Sequence, residues 1–275
     1  MASDADWLRI LMQCRENVKA HVQPLLRSLK EPQPDLGRGA GGDRMKLVDV
    51  AAEKAIVEVF LQHGFSFTLV SEESGVKEFG GSAGELIVTT DPIDGTTNLT
   101  RGLPFYCCSV AVSQRHMVGD VFAGMVADLF HGVTYTATLG GGAFRDDVRI
   151  SPSLTAELDD AVIGLDLNTF QIADLAPRLT RLISRAKHIR HFGANALELC
   201  YVAEGLTDAF VDMRDKLRAT DVAASFLILR EAGGVVTAPD GQPLVARLSP
   251  QQKLRFVASG NPRIHKLILS LVKPE

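Results

Sequence analysis

The residues best suited to chemistry lie in the eight-residue stretch Asp91–Asn98, whose sequence is DPIDGTTN. A short apolar run at 86–88 precedes it and predicts a buried strand, so the two aspartates fall where that strand should end. Carboxylates in this position are hard oxygen ligands, which suit Mg²⁺ better than a soft metal. Gly95 would let a backbone approach an anion closely, and Thr96 could orient a water or bind a phosphate oxygen. The stretch therefore favours the hydrolysis of phosphate esters.

Three further acidic residues lie at positions where an acidic side chain suggests a specific structural or chemical role. Asp49 lies in the first turn of a predicted helix, Glu72 ends a strand-like run, and Asp221 begins the apolar helix predicted at 222–232. Each has an ordinary explanation, because an acidic residue stabilises the positive end of a helix and Glu72 could be a solvated loop residue. Brought together with the aspartates of the DPIDGTTN stretch, however, these carboxylates would repel one another unless two or three divalent cations neutralised them.

A pair of bound cations would also supply the chemistry of phosphate-ester hydrolysis. Two ions can hold a nucleophilic water on one side of a phosphorus atom and stabilise the leaving oxygen on the other side. The backbone carbonyl of Ile93 lies between the two aspartates and is well placed to join the ligands. The residues thus predict a centre of hard cations that serves direct attack by water.

The bulk composition narrows the class of protein without identifying it. The chain has 275 residues, 46% of them hydrophobic. Its net charge is −4, so its overall charge does not favour binding to nucleic acid. No apolar run reaches the length that spans a membrane, and the acidic start at 1–7 does not resemble a signal peptide. The four cysteines lack the spacing of a zinc site, so we expect buried, reduced thiols in a cytoplasmic protein.

Apolar periodicity and breaker residues predict the elements that position these side chains. Prolines and glycines at 31–42 separate two helices, the polar segment 76–85 is expected to be an exposed loop, and 140–142 a turn. The predicted helices are 4–30, 46–63, 171–186, 194–205, 221–232 and 262–272. The predicted strands are 67–70, 86–88, 105–112, 118–127, 133–138, 161–165, 188–191, 207–212, 234–237 and 255–258.

These elements predict an α+β protein in which helices and sheets form layers. The strands between 105 and 138 should be antiparallel and belong to an α+β half at 1–150. The second half, 151–275, alternates helices and strands and is expected to be α/β. We expect the two halves to act as one unit, with a cleft between them.

The quoted motifs resemble those of the inositol monophosphatase and fructose-1,6-bisphosphatase superfamily, over about residues 5–270. Asp91–Asn98 is similar to the signature D-P-I-D-G-T-x-N, and Ser71–Ser74 is similar to the segment G-E-E-S. Thr220–Ser225 resembles the segment W-D-x-A-A-G, and Glu231–Gly234 follows at the expected spacing. The resemblance implies a layered αβαβα sugar-phosphatase fold over the whole chain and a Mg²⁺-dependent phosphatase of carbohydrate metabolism, including gluconeogenesis.

The resemblance also assigns ligands for two metal ions. Glu72, Asp91 and the carbonyl of Ile93 would hold the first Mg²⁺ ion, and Asp91, Asp94 and Asp221 would hold the second. Mn²⁺ would be able to replace Mg²⁺.

The remaining catalytic roles are carried over from the same resemblance. Glu72 and Asp49 would border a weaker third ion through water, and Asp49 and Thr96 would orient the attacking water or take its proton. The backbone amides of Gly95 and Thr96, at the start of a short helix, would bind the scissile phosphate together with Asp94. Hydrolysis would be direct, without a phosphorylated enzyme.

Three residues depart from the pattern of the superfamily. Ser71 replaces a glycine before Glu72, Thr220 replaces a tryptophan before Asp221, and Ser225 replaces a second glycine. None of these changes removes a metal ligand. The hydroxyl of Thr220 is expected to cap the helix that begins at Asp221.

The substrate is less directly indicated. Segments 37–49, 192–203 and 211–221 resemble the archaeal-type enzymes, which are the size of inositol monophosphatases and also hydrolyse fructose 1,6-bisphosphate. A bisphosphate carries a second dianion that needs cations away from the metals, and guanidinium groups suit it. The candidates are Arg190, Arg214, Arg218 and Lys216, with Asp212 and Asn195 expected to contact hydroxyl groups or phosphate. The alternative is that these charges are solvated, some of them paired with Asp212 or Asp215.

The sequence therefore predicts a phosphatase of fructose 1,6-bisphosphate that also acts on inositol 1-phosphate. Its partners would be a small phosphorylated sugar or inositol and copies of itself in a homodimer or homotetramer, with no nucleic acid and no membrane. Three alternatives stay open: a dedicated inositol monophosphatase, a 3′-phosphoadenosine 5′-phosphate phosphatase, and a non-catalytic member that keeps the fold as a scaffold.

Overall fold

The computed structural model of the chain describes residues 3–28, 34–81, 86–169 and 172–273, and the following elements are those of these ranges. The helices are α1 Asp4–Val22, α2 Leu47–Gln62, α3 Thr96–Arg101, α4 Ile172–Ile183, α5 Asn195–Glu204, α6 Ala219–Ala232 and α7 Pro262–Val272. The strands of the first half are β1 Phe67–Ser71, β2 Gly75–Phe79, β3 Leu86–Asp94, β4 Cys107–Ser113, β5 Val121–Asp128, β6 Thr134–Thr138, β7 Gly142–Arg145 and β8 Val148–Arg149. The strands of the second half are β9 Val162–Leu165, β10 His188–Arg190, β11 Ala209–Arg218, β12 Val235–Thr237 and β13 Lys253–Ser259.

Two mixed sheets form the framework. The first has eight strands in the order β2-β1-β3-β4-β5-β6-β7-β8, and only its β1–β3 pair is parallel. The second has five strands in the order β10-β9-β11-β13-β12, with β9 parallel to both of its neighbours and β13 antiparallel to both of its own. The antiparallel pairing expected for the strands between residues 105 and 138 is confirmed. Short turns join consecutive strands there, and such connections suit antiparallel neighbours.

Side chains are buried on both faces of each sheet, so helices and sheets pack together in five layers. Helices α1 and α2 cover one face of the first sheet, where Trp7, Ile56 and Met125 belong to one apolar cluster. Helices α5 and α6 lie between the sheets, in a cluster that includes Val126 and Phe256. Helices α4 and α7 cover the outer face of the second sheet. Met125 and Val126 belong to clusters on opposite faces of the first sheet, because side chains alternate along a strand. Helices therefore pack on both faces of the sheet, which gives the predicted αβαβα order.

Several predicted boundaries are wrong, each for a local reason. Helix α1 ends at Val22, and Gln23–Ser28 forms a 3₁₀-helix instead, because Pro24 cannot donate the hydrogen bond that an α-helix needs. Residues 76–79 of the segment expected to be a loop belong instead to the edge strand Gly75–Phe79, in which Val76, Lys77 and Glu78 are exposed to solvent. The predicted helix end at 29–30, the breaker at 31–33, loop residues 82–85 and helix residue 171 lie outside the described residues.

Other strands differ in extent from the prediction. β3 continues through Asp94, and Val118–Asp120 is a short 3₁₀-helix that precedes β5. β11 runs six residues beyond its expected end, past an irregularity between Asp212 and Leu217 where Asp215 has a φ of 59°. This charged continuation, MRDKLR, lacks the apolar alternation by which a strand is recognised.

Among the described residues, no helix is both long enough and apolar enough to cross a membrane.

Candidate metal centre

The DPIDGTTN stretch is the irregular end of a buried strand. The register between β3 and β4 shifts between Asp91 and Asp94, and the amide of Ile93 donates to Asp91 Oδ1 at 3.1 Å. Both aspartates are at most 5% exposed. Gly95 follows with a φ of 87°, and a Cβ there would lie 3.0 Å from the carbonyl oxygen of Phe105, so only glycine fits. The strand therefore turns sharply into α3 and leaves its carboxylates at the turn.

Two helix starts supply the next pair of carboxylates in the same way. Asp49 and Asp221 are each the third residue of a helix, α2 and α6 respectively. Asp49 Oδ2 accepts the backbone amide of Lys46 at 2.9 Å, and Asp221 Oδ2 accepts that of Arg218 at 2.9 Å. Each carboxylate thus satisfies an amide that the helix leaves unpaired, and its second oxygen, Oδ1, lies beside a threonine hydroxyl, that of Thr96 for Asp49 and that of Thr220 for Asp221.

Three of the predicted ligands meet closely enough to hold a cation. Carboxylate oxygens of Glu72, Asp91 and Asp221 all lie within 4.8 Å of one another. Burial, reinforced by the charges of Glu72 and Asp94, raises the pKa of Asp91 well above its usual range. Burial and then the charge of Asp221 raise the pKa of Glu72 to about 7. Carboxylates that repel in a buried place are stabilised by a cation, and oxygen donors alone suit Mg²⁺.

The fourth carboxylate is held from another layer of the molecule. Asp94 Oδ2 accepts the backbone amide of Ala196, at the start of α5, at 2.7 Å. The same oxygen lies 3.7 Å from Cys107 Sγ, so the buried thiol donates to it. Asp94 is consequently fixed by β4 and by α5, and it joins the two halves of the chain at the site.

The hydroxyl of Thr96 connects the strand to the start of α2. Thr96 Oγ1 lies 2.9 Å from the carbonyl oxygen of Ile93 and 3.4 Å from Asp49 Oδ1. Burial raises the pKa of Asp49 to about 6, while the amide of Lys46 opposes this shift. Thr96 and Asp49 thus place a hydroxyl and a carboxylate side by side, an arrangement that can orient a water molecule.

All of these groups open into one polar cavity of about 430 Å³. Its wall includes the predicted residues Asp49, Glu72, Asp91, Ile93, Asp94, Gly95, Thr96, Asn195, Arg218 and Asp221. The sequence-predicted metal and catalytic residues are therefore brought together, along with one predicted substrate amide and one predicted arginine.

The side chain of Arg218 contacts one predicted metal ligand, Glu72, rather than open solvent. Its Nη1 donates to Glu72 Oε1 at 2.6 Å, and its Nη2 donates to Asp43 Oδ2 at 2.7 Å and to the carbonyl of Gly41. The amide of Gly41 in turn donates to the carbonyl of Glu72 at 2.8 Å. The glycine loop at 37–46 is thereby docked on the site through Arg218.

The other predicted substrate residues lie differently. Arg214 is 7% exposed and forms ion pairs with Asp166 and with Asp212, which is fully buried. Asp212 therefore binds Arg214 and does not face the acidic cavity. Arg190 lies on the exposed edge strand β10, where it donates to the carbonyl of Ile189 at 3.0 Å, outside the cavity.

The three departures from the superfamily pattern have local roles. The cap expected from Thr220 is wrong: α6 begins at Ala219, and the Thr220 hydroxyl donates to Asp221 Oδ1 at 2.9 Å, which orients the ligand directly. Ser71 Oγ donates to Glu53 and accepts the amide of Glu73 at 3.1 Å. Ser225 Oγ donates within α6 to the carbonyl of Val222 at 3.1 Å.

Sequence reasoning missed two acidic residues of the cavity wall, Glu73 and Asp43, the second of which binds Arg218. Glu73 lines the cavity, and its Oε2 is buried without a hydrogen-bond partner among the described residues. Burial and then the charge of Asp49 raise the pKa of Glu73 to about 8. The doublet Glu72–Glu73 was visible in the sequence, but alternation along a strand predicts that adjacent side chains point apart, and here the chain has already left β1.

Comparison with known proteins gives consistent similarities. A model of the inositol monophosphatase family matches residues 11–275. A fructose-1,6-bisphosphatase/inositol-1-monophosphatase of Methanothermobacter thermautotrophicus is 36% identical, over 97% of this chain and 96% of that protein. A bifunctional NADP phosphatase/NAD kinase of Methanococcus maripaludis is 31% identical over 97% of this chain, which spans 49% of that protein. The crystal structure of an inositol monophosphatase–fructose 1,6-bisphosphatase superimposes with a TM-score of 0.84 at 27% identity, over 96% of this chain and 99% of that one.

Proposed function

The chain belongs to the inositol monophosphatase family, and from this premise we propose that it is a Mg²⁺-dependent phosphomonoester hydrolase of sugar phosphates. Its main substrate would be fructose 1,6-bisphosphate, with inositol 1-phosphate as a second one. The observation that carries the proposal is the meeting of Glu72, Asp91 and Asp221, with carboxylate oxygens within 4.8 Å of one another, in a cavity that also holds Thr96.

We propose that the chain's own donors would hold two magnesium ions. Glu72, Asp91 and the Ile93 carbonyl would hold the first, and Asp91, Asp94 and Asp221 the second. Glu72 and Asp49 would border a weaker third ion. When bound, the ions would neutralise the carboxylates, polarise the phosphoryl group and activate a water.

The protein residues then orient the reacting groups. Thr96 and Asp49 would hold the attacking water, and Asp49 would accept its proton, because its raised pKa of about 6 makes it a better base than an exposed aspartate. The water oxygen forms a bond to phosphorus as the ester oxygen leaves and takes up a proton, which gives an alcohol and inorganic phosphate. The amides of Gly95 and Thr96, at the turn into α3, would bind the phosphate oxygens.

The experiment is phosphate release from fructose 1,6-bisphosphate and inositol 1-phosphate, measured side by side at saturating Mg²⁺. We expect both to be hydrolysed, with the larger kcat/KM for the bisphosphate. Release from inositol 1-phosphate alone would indicate a dedicated inositol monophosphatase, and release from neither would contradict the proposal.

A nucleotide phosphatase is the second candidate, favoured by the 31% identity to a bifunctional NADP phosphatase/NAD kinase, of which this chain spans 49%. NADP⁺ and 3′-phosphoadenosine 5′-phosphate therefore belong in the same assay. A kcat/KM for either that exceeds those of the sugar phosphates would replace the main proposal. As partners we propose the small phosphorylated substrate and further copies of the chain, in a homodimer or homotetramer that light scattering would measure.

A further inference from the structure

A second cavity adjoins the acidic one and has the opposite charge. Its volume is about 270 Å³, and it shares Asp43, Asn195, Arg218 and Asp221 with the acidic cavity. Its remaining polar wall consists of Arg214, Lys216 and Lys253. A substrate held at the carboxylate cluster can therefore extend into a basic compartment without crossing an apolar barrier.

The two arginines of this compartment already form ion pairs with carboxylates of the protein. Arg214 binds Asp166 and Asp212, and all three side chains are at most 7% exposed. Arg218 binds Glu72 and Asp43. Both arginines were among the sequence-based candidates for binding a second phosphate, and neither presents an uncompensated charge. Lys216 Nζ donates to the carbonyl of Asn168 at 3.2 Å.

Lys253 differs from the other basic residues of the wall. It is the exposed first residue of β13, and its ammonium group has no ion pair or hydrogen bond to another residue of the described chain. Its Cα is paired with that of Arg218 on β11. Directly paired residues in antiparallel strands project to the same face, so Lys253 extends beside Arg218 toward the compartment.

We propose that Lys253 is a specificity-determining residue that binds a second phosphate of the substrate, the one that is not hydrolysed. An ammonium group is a compact charge suited to phosphate, and this one need not give up an internal partner to bind it. The inference rests on the proposed function and deepens it: the preferred substrates carry a second phosphate, on a sugar or in a nucleotide.

The test compares kcat and KM of the wild type and of Lys253→Gln on fructose 1,6-bisphosphate and on fructose 1-phosphate, which lacks only the second phosphate. Loss of one charge-assisted contact should raise KM for the bisphosphate about fivefold or more, and kcat should stay within about twofold. Both parameters for fructose 1-phosphate should also stay within about twofold. NADP⁺ is assayed in parallel, and a KM increase confined to NADP⁺ would assign Lys253 to a nucleotide phosphate rather than to a sugar phosphate.

The matched control is Arg255→Gln, which removes the same charge two residues along β13 from a side chain that binds Asp215 and lies outside the compartment. It should leave all parameters within about twofold. Equal changes for bisphosphate and monophosphate, or no change for any substrate with a second phosphate, would overturn the role of Lys253. A wild type that hydrolyses none of these esters would instead refute the proposed function, so the two failures can be told apart.

Discussion

At the scale of single residues, the site depends on carboxylates that the backbone holds in place before any ligand arrives. Asp49 and Asp221 accept the amides that open their helices, and Asp94 accepts the amide of Ala196. Chemistry and spacing indicated these acidic residues in the sequence. The partners of Asp94 and Arg214 could not be predicted, because Ala196 and Asp166 lie on other elements, far away along the chain.

Asp94→Asn tests the second metal position with little change of shape. The amide oxygen of asparagine can still accept from Ala196, so the metal-free protein should keep or raise its Tm as one repelling charge disappears. Phosphate release should fall on the order of 100-fold, and the Mg²⁺-induced rise in Tm should shrink. Thermal melts with and without Mg²⁺ and the phosphate assay measure both effects. Activity that is retained at saturating Mg²⁺ would contradict this role of Asp94.

A buried histidine outside the site should make stability depend on pH. His265 lies between the hydroxyls of Ser259 and Thr237, at 2.6 Å and 2.9 Å, and burial lowers its pKa from 6.5 to about 4. The unfolded chain then binds a proton that the folded chain does not, so this contribution is complete above pH 6.5 and is lost as the pH falls toward 4.

The measurement is the free energy of unfolding in urea between pH 4 and pH 7, for the wild type and His265→Gln. Carboxylates titrate in both proteins, so the difference between the two curves isolates His265. The difference should narrow as the pH falls through this window, and parallel curves would contradict the prediction.

At the scale of elements, the docked glycine loop is the feature that the sequence left most open. The sequence predicted only that prolines and glycines at 31–42 separate two helices. The structure shows the contacts by which residues 37–46 dock: the amides of Ala40 and Gly41 donate to the carbonyls of Glu73 and Glu72, both at 2.8 Å. Helix ends were predictable where glycine follows the helix, as at Gly205 and Gly233, but not at Pro24, where α1 stops earlier than predicted. Edge strand β2 and the charged end of β11 were not, because exposure and irregular pairing remove the alternation that identifies a strand.

Gly41→Ala should undock this loop. A Cβ at position 41 would lie 2.7 Å from Glu72 Cγ and 2.8 Å from Arg218 Cζ, so the loop must move away or displace both. Turnover should fall roughly tenfold or more, with Tm nearly unchanged, and trypsin should cleave faster after Arg38 or Arg44. Gly119→Ala, where the added Cβ meets no atom within 4 Å, is the control. Equal losses of turnover and Tm would indicate a role of the loop in the fold instead.

At the scale of the whole molecule, the layers explain why the site is a cleft. Helix α6 lies in the central layer with α5, and its first turn brings Asp221 to the end of β3 in the first sheet. Strand β11 of the second sheet leads directly into α6, and it carries Arg218 beside the acidic cavity and Arg214 beside the basic compartment that adjoins it. The cluster thus draws on the first sheet and on a helix that follows directly from the second, and Coulomb repulsion between its buried carboxylates favours the binding of cations.

The central claim is that these carboxylates serve hydrolysis by holding magnesium. The most direct measurement is phosphate release from fructose 1,6-bisphosphate by the wild type and by Asp91→Asn, with Mg²⁺, after EDTA, and after excess Mg²⁺ is restored. We predict release by the wild type with Mg²⁺, none with EDTA, recovery when Mg²⁺ returns, and almost none from Asp91→Asn in any condition. Hydrolysis that resists EDTA, or that Asp91→Asn supports as well as the wild type, would contradict the account.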